Sequence, residues 1–389
     1  MHNKSVILKE GKEKSLLQKH PWIFSGAVDR FPDFKNGEIL SVLSSKKEFL
    51  AQAYFHRENS LCGRVLTFGK EDIAVVIKEK CAKALVLRKT LFSLSKTSGY
   101  RLINAEGDDL PGLIVDVYDK VLVMQISTCG MERLKTLIVE ILVDLIKPIA
   151  IYEKSSSSSR EKEGLEDAKG FIFGSSPDEI QFLENGHAFF LSLEQGQKTG
   201  FFLDQREMRK QIEQYSLGRR VLNCFSYTGG FSVYAMEGGA KLVDSVDISK
   251  SATELAKKNM NVNSPSAPHR EIAEDVFTFL KSSSLEYDLV ILDPPAFAKK
   301  MGDVNQACKG YKEINRSVLE KIPPNSFLLT SSCSYFIDKG LFQKLLFQAA
   351  LEAKRNLKIL SEHIQASDHP VSIYHPEGNY LKSLFVYIE

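Results

Sequence analysis

The most constraining stretch is Tyr287-Asp288-Leu289-Val290-Ile291-Leu292-Asp293-Pro294-Pro295-Ala296-Phe297. An unbroken apolar run that stops at an acid and two prolines reads as a strand buried on both faces, as in a helix-covered parallel sheet. Its surroundings repeat the theme. Strand-like runs at 220–225, 241–247, 289–293 and 327–332 alternate with helical periodicity at 230–237, 251–261 and 341–354. This alternation predicts a doubly wound α/β, Rossmann-like sheet. Such sheets take their ligands outside the carboxyl ends of the strands, so Asp293 should project into a crevice. Pro294 and Pro295 fix φ and withhold backbone donors, which stiffens the loop. Phe297 adds a flat face. An acid beside an aromatic suits a planar nitrogenous ring, read by stacking and edge hydrogen bonds.

Upstream, the pattern divides the chain further. Residues 1–72 hold short alternating runs separated by turn residues, which predicts a small β-barrel. Residues 73–194 begin with helical spacing over 74–95 and continue as strands at 113–117 and 121–127, a helix at 131–146 and a strand at 149–153. The polar run 155–163 reads as a mobile loop, and Asn185-Gly186 within 180–193 marks a hairpin. A central α+β domain of the EEHEE type follows from this order. Residues 195–389 form the third domain, closing on an expected hairpin between 371–375 and 381–388.

The charge balance, 51 basic against 49 acidic residues, does not advertise nucleic-acid binding, although a local basic face is compatible with it. Six scattered cysteines without a Cys-x-x-Cys pair argue against zinc and against a disulfide framework, and fit a reducing cytoplasm. No run of about 18 apolar residues occurs, so no membrane span is expected. No metal site is expected either.

The cofactor reading rests on the segment Phe225-Ser226-Tyr227-Thr228-Gly229-Gly230, a polar loop between a strand and a helix. Glycine there permits close approach to a ligand. The loop lacks the Gly-x-Gly-x-x-Gly spacing that a pyrophosphate needs, which points to a cofactor without phosphate. S-adenosyl-L-methionine is such a ligand. Asp247, followed by Ile248, ends the next strand at the separation expected of a ribose-binding acid. Asp275 follows the expected third strand, where it serves either the adenine amine or a helix N-cap.

Cys333 follows the apolar run Phe327-Leu328-Leu329-Thr330 and so reaches the same sheet edge as Asp293. A thiolate there can add to carbon 6 of a pyrimidine and make carbon 5 nucleophilic toward a methyl donor. Asp293 would accept from the exocyclic amine of a cytosine. A buried, inert thiol is the ordinary alternative.

The chain resembles the RlmI family of class I ribosomal RNA methyltransferases from end to end. The residues that carry the likeness are Lys19-His20-Pro21-Trp22, Asn104-Ala105-Glu106-Gly107, Gly196-Gln197-Lys198-Thr199-Gly200-Phe201-Phe202-Leu203-Asp204-Gln205-Arg206, Asn223 to Phe231, Asp293-Pro294-Pro295-Ala296-Phe297, Gly310-Tyr311-Lys312, Ser332-Cys333-Ser334 and Glu377-Gly378-Asn379-Tyr380-Leu381-Lys382. The resemblance implies an RNA-binding PUA domain, a central domain and a methyltransferase domain that acts on a cytosine of large-subunit (23S) ribosomal RNA. It places Asp204 and Arg206 at the cofactor, and Pro294, Pro295 and Phe297 at the base. Pro295 is followed by alanine, where two-cysteine relatives carry a second thiol, so the base that takes the carbon-5 proton is unassigned.

RNA contacts are expected from Lys19 and Trp22 in the first domain, and from Arg209 and Lys210 nearer the active site. Two alternatives stand beside this reading: a guanine N-methyltransferase on the same scaffold, and a non-catalytic ribosome assembly factor. A homodimer is compatible with the sequence.

Overall fold

The computed structural model describes residues 4–196 and 199–389; Gln197 and Lys198 of the resembling segment lie outside the described residues. The three expected segments fold as two compact units. The first comprises 1–182, 192–201 and 367–378, and the second 183–191, 202–366 and 379–389.

In the first unit, a six-stranded sheet runs in the order Trp22–Phe24, Leu61–Thr67, Phe49–Phe55, Ile39–Leu43, Ser5–Leu8, Val28–Arg30. Its two edge strands are joined only by Ser25–Ala27. That link spans at most about 14 Å, whereas six flat strands would separate their edges by about 24 Å. The sheet must therefore curl, as the barrel expectation requires. A second, five-stranded sheet follows, with strands Gly99–Asn104, Leu113–Tyr118, Val121–Ile126, Ala150–Ser155 and Ala168–Gly174 side by side in chain order. Tyr54 and Leu66 of the first sheet share one core with Ile77, Cys81 and Leu85 of the helix Ile73–Leu91 and with the central strands. This shared core holds the first two segments together in one compact unit.

The polar run 155–163 is not a loop. Ser158–Lys162 is helical, and both Arg160 and Glu163 are buried. Arg160 donates to the Ile126 carbonyl at 3.1 Å and to Glu132 at 2.7 Å, while Glu163 accepts from Arg64 at 2.9 Å. Charges that look solvated in sequence are paired inside. The Asn185-Gly186 turn is present, with both residues at positive φ (52° and 93°), between Glu179–Glu184 and His187–Ser192.

The second unit is built on strands β1 (Arg220–Cys224), β2 (Leu242–Asp247), β3 (His269–Ala273), β4 (Leu289–Leu292), β5 (Ser326–Ser332), β6 (Leu357–His363) and β7 (Lys382–Ile388). They lie in the order β3-β2-β1-β4-β5-β7-β6. The first five are parallel, and β7 runs antiparallel to both neighbours. All four residues of β4 are 0% exposed, as burial on both faces demands. The expected closing hairpin is corrected here: 371–375 forms no strand, and β7 instead enters the sheet between β5 and β6. Burial explains this, since Leu384, Phe385, Val386 and Ile388 are apolar and buried, whereas residues 371–374 are solvent-facing or only half-buried.

Candidate active site

Chain direction across the sheet reverses between β1 and β4, and ligands bind outside the carboxyl ends at such a switch point. The loop after β1 is wound tightly. Phe225 and Tyr227 are left-handed (φ 57° and 46°) although neither is glycine, and Gly229 (φ 75°) caps the helix Gly230–Glu237. Non-glycine residues in this region cost about 1–3 kcal/mol each and cluster at functional sites. The coil is fastened by Ser226 donating to the Val246 carbonyl at 3.0 Å and by Asn259 donating to the Thr228 carbonyl at 2.9 Å. A Cβ on Gly229 would meet Ala256 at 2.9 Å, so the loop lies directly on the helix Lys250–Asn263.

Asp247 stands at the end of β2. Its carboxylate accepts from the amides of Tyr227 and Ser249, each at 2.9 Å. Two amide donors fix its plane, and lone pairs remain for ribose hydroxyls. The hydroxyls of Ser226 and Thr228 are buried and have no hydrogen-bond partner among the described residues. Ile248 is 73% exposed beside Asp247, an apolar face open to a ring. An acceptor, two neutral hydroxyls and an apolar ledge fit an uncharged ribose and adenine better than a pyrophosphate, which needs converging N–H donors. Asp275 is exposed and caps Val276–Ser282, accepting from the Thr278 amide at 2.9 Å through one oxygen. Its capping role is thus present in the structure.

The loop after β4 forms the other wall. Asp293 is half-buried and accepts from the side-chain amide of Gln205 at 2.7 Å. Pro294 is buried, Pro295 exposed and Phe297 half-buried, its ring centred 4.6 Å from that of Tyr311. Cys333, just past β5, is half-buried with its sulfur 3.9 Å from the Pro294 carbonyl oxygen. Ser334 locks the two loops together, accepting from the Ala298 amide at 3.1 Å and lying 2.9 Å from the Tyr311 hydroxyl. Cys62, Cys81, Cys129 and Cys224 are buried, and burial pushes their thiols up, to about 11 for Cys62 and about 12 for Cys81 and Cys129.

Gln205 and Lys382 had no individual role in the sequence expectations, whereas Asp204 was expected at the cofactor. Asp204 is buried and accepts from the Tyr380 hydroxyl at 2.6 Å, and Gln205 next to it reaches Asp293. Lys382, the first residue of β7, donates to the carbonyls of Ser334 and Tyr380, each at 2.7 Å. Burial brings its ammonium down to about 8, with Cys333 and Asp338 acting in the opposite direction. The only sequence signal for these residues was their place in quoted motifs. Spacing does not tell that segments 48 to 176 residues apart converge.

One expected RNA contact is corrected. The Arg209 side chain is 2% exposed, with both arms of its guanidinium on Glu184 at 2.7 Å and a third bond to the Phe202 carbonyl at 2.9 Å. It is an internal ion pair, shared with Arg206, which is also buried and lies 3.2 Å from Glu184. Trp22 is half-buried, its indole N–H donating to Glu106 at 2.9 Å and its ring edge-on to His375 at 4.3 Å. Its ring is engaged within the fold. Lys19 and Lys210 are exposed, the first over the Phe68 ring and the second paired with Glu213.

Residues 6–68 match a PUA-like domain, and residues 160–362 match the S-adenosylmethionine-dependent methyltransferase family. The chain is 40% identical over 385 residues to proteins named ribosomal RNA large subunit methyltransferase I from Yersinia pseudotuberculosis and Yersinia pestis, covering 97% of each chain. Among solved structures, a proposed SAM-dependent methyltransferase from Streptococcus mutans superposes with a TM-score of 0.84 at 25% identity, over 98% of this chain and 99% of that one. Another methyltransferase structure, solved in complex with SAH, superposes at 0.85 with 26% identity and the same coverage. No helix among the described residues is long and apolar enough to cross a membrane, and no group of metal-ligating side chains occurs among them. The chain belongs to the S-adenosylmethionine-dependent methyltransferases, with S-adenosylmethionine as its cofactor and a PUA-like domain at its amino-terminal side.

Proposed function

We propose that this methyltransferase modifies carbon 5 of a cytosine in large-subunit ribosomal RNA, with Cys333 as nucleophile and Asp293 as the acceptor for the exocyclic amine. The observation that carries the reading is the placement of Cys333: a half-exposed thiol against the Pro294 carbonyl, at the same sheet edge as Asp293. The names of the relatives supply the substrate class, and the PUA-like domain is consistent with an RNA ligand.

The chemistry follows from the ring. Carbon 5 of cytosine is a poor nucleophile, and the Cys333 thiolate changes that by adding to carbon 6 to give an enamine. Asp293 holds the ring edge and Phe297 offers a face to its plane. When bound, S-adenosylmethionine supplies an electrophilic methyl group. Asp247, Ser226, Thr228 and Ile248 would hold its nucleoside portion, and Asp275 its adenine amine. On the resemblance, Asp204 and Arg206 would lie at the cofactor, the first held by Tyr380 and the second by Glu184. After methylation, loss of the carbon-5 proton to a base expels the thiolate and restores aromaticity. Lys19 and Lys210, both exposed, are the basic side chains offered to phosphates.

Nucleoside mass spectrometry of ribosomal RNA from cells with and without the gene tests the proposal. A 5-methylcytosine that disappears and returns with wild-type protein, but not with Cys333→Ala, supports it. An unchanged 5-methylcytosine content, or loss of a methylated guanine instead, sinks it.

A further inference from the structure

Cys333 lies between two residues that both engage Lys382. Ser332, before it, pairs with Lys382 in the antiparallel register of β5 and β7. Ser334, after it, gives its carbonyl to the Lys382 ammonium at 2.7 Å, and the Tyr380 carbonyl takes a second bond from the same nitrogen. The lysine is thereby folded back across the turn that presents the thiol. Two neutral carbonyls orient it without cancelling its charge. Its acidic neighbour, Asp338, is occupied in capping the helix Lys339–Glu352, accepting from the Leu341 amide at 2.8 Å. On the other elements, the Cys333 sulfur meets the carbonyl of Pro294, which directly follows Asp293 after β4, and Tyr311, on the helix Val304–Leu319, meets the adjoining Ser334. Tyr311 is neutral near pH 7, since burial raises its hydroxyl further above its ordinary value. Asp293 is the negative group on that side and acts against a thiolate.

We propose that Lys382 is a positioning residue for the methylation reaction: its ammonium, fixed on the Ser334 and Tyr380 carbonyls, is the counter-charge that keeps Cys333 as a thiolate against the nearby Asp293 carboxylate. The thiol proton leaves to solvent, and the negative sulfur that remains is the form able to add to carbon 6. A nucleophilic cysteine needs such a partner, because an opposite charge within a few ångströms lowers its protonation. The sheet topology delivers the cation. A strand inserted antiparallel beside β5 can place its first residue next to the turn that ends β5.

The inference rests on the nucleophile reading of Cys333, and its test is independent of methyl transfer. The full-length protein is alkylated with iodoacetamide from about pH 5 to about pH 10, and the Cys333 peptide is quantified by mass spectrometry. Cys308, the other half-exposed thiol, serves as the internal reference. Wild-type Cys333 is expected to titrate about 1 unit or more below the free-thiol value of about 8.5. Lys382→Met is expected to return it to about 8.5 or higher, slowing alkylation roughly tenfold at neutral pH. Lys382→Arg, which retains the charge, is expected to keep the low value. The proposal is overturned by an ordinary profile in the wild type, which requires no variant to fold, or by an equal rise in the Met and Arg variants. A low thiol profile with no 5-methylcytosine formed would instead fault the substrate assignment and leave the pair intact.

Discussion

The side-chain amide of Gln205 donates to Oδ1 of Asp293 at 2.7 Å, tying the segment before β1 to the loop after β4. A neutral donor on one side fixes the plane of the carboxylate and leaves lone pairs for an exocyclic amine. Gln205→Ala removes one hydrogen bond to a charged group, worth about 1.5–3 kcal/mol. We expect kcat/KM to fall about 10- to 100-fold while S-adenosylmethionine affinity is unchanged. Single-turnover methylation beside calorimetric titration of the cofactor reads both; equal losses in the two would show that Gln205 serves the cofactor instead.

Asp247 is preset by two amides to receive the ribose. Asp247→Ala should weaken cofactor binding about 10- to 100-fold, the worth of one or two hydrogen bonds to a charged acceptor. Asp275→Asn separates the two roles of that residue, because asparagine caps a helix as well as aspartate. Melting temperature should hold while cofactor affinity drops; an unchanged affinity would leave Asp275 with the cap alone.

Arg209 was expected on RNA because it lies near the presumed active site, and it is an internal ion pair. Arg209→Ala leaves the Glu184 charge in the interior with less compensation, and breaking a buried pair typically costs about 3–5 kcal/mol. Urea denaturation should show that loss in the midpoint. The salt dependence of RNA binding should keep its slope, and a reduced slope would restore the phosphate role.

The alternation of strands and helices after residue 195 was readable because β4 is apolar without interruption and the Asp-Pro-Pro stop is local. The places of Asp247, Asp293 and Cys333 at the sheet edge could be read for the same reason, since Asp247 ends its strand and the other two follow theirs. What could not be read depends on long-range pairing. Residues 155–163 look solvated because serines and alternating charges are indistinguishable, in one dimension, from a buried set whose partners are Arg64, Glu132 and the Ile126 carbonyl. The insertion of β7 between β5 and β6 is equally invisible, since nothing in the spacing says which edge of the sheet is open. Gln205, Tyr380 and Lys382 acquire meaning only once the sheet brings them to Asp293, Asp204 and Ser334.

Lys80, in the first unit, gives a pH prediction. Its ammonium donates to the carbonyls of Leu66 and Asp109, and burial lowers it to about 8. An unfolded lysine keeps its proton to about pH 10.4. Between these values the unfolded chain binds more protons than the folded one, so the stability contributed at this residue rises with pH. The difference in denaturation midpoint between wild type and Lys80→Met should shift in favour of the wild type from about pH 8 to about pH 10. A flat difference across that window would refute it.

The interior place of β7 bears on how the enzyme comes into being. Residues 382–388 are synthesised long after β5, yet they cover its flank and carry the lysine beside Cys333. A chain interrupted before residue 382 would own a donor loop and a thiol, but it would expose an unzipped parallel edge, the kind of template that invites wrong partners. On the role proposed for Lys382, completing the sheet would also deliver the counter-charge, so a truncated copy is expected to lack activity as well as to stick.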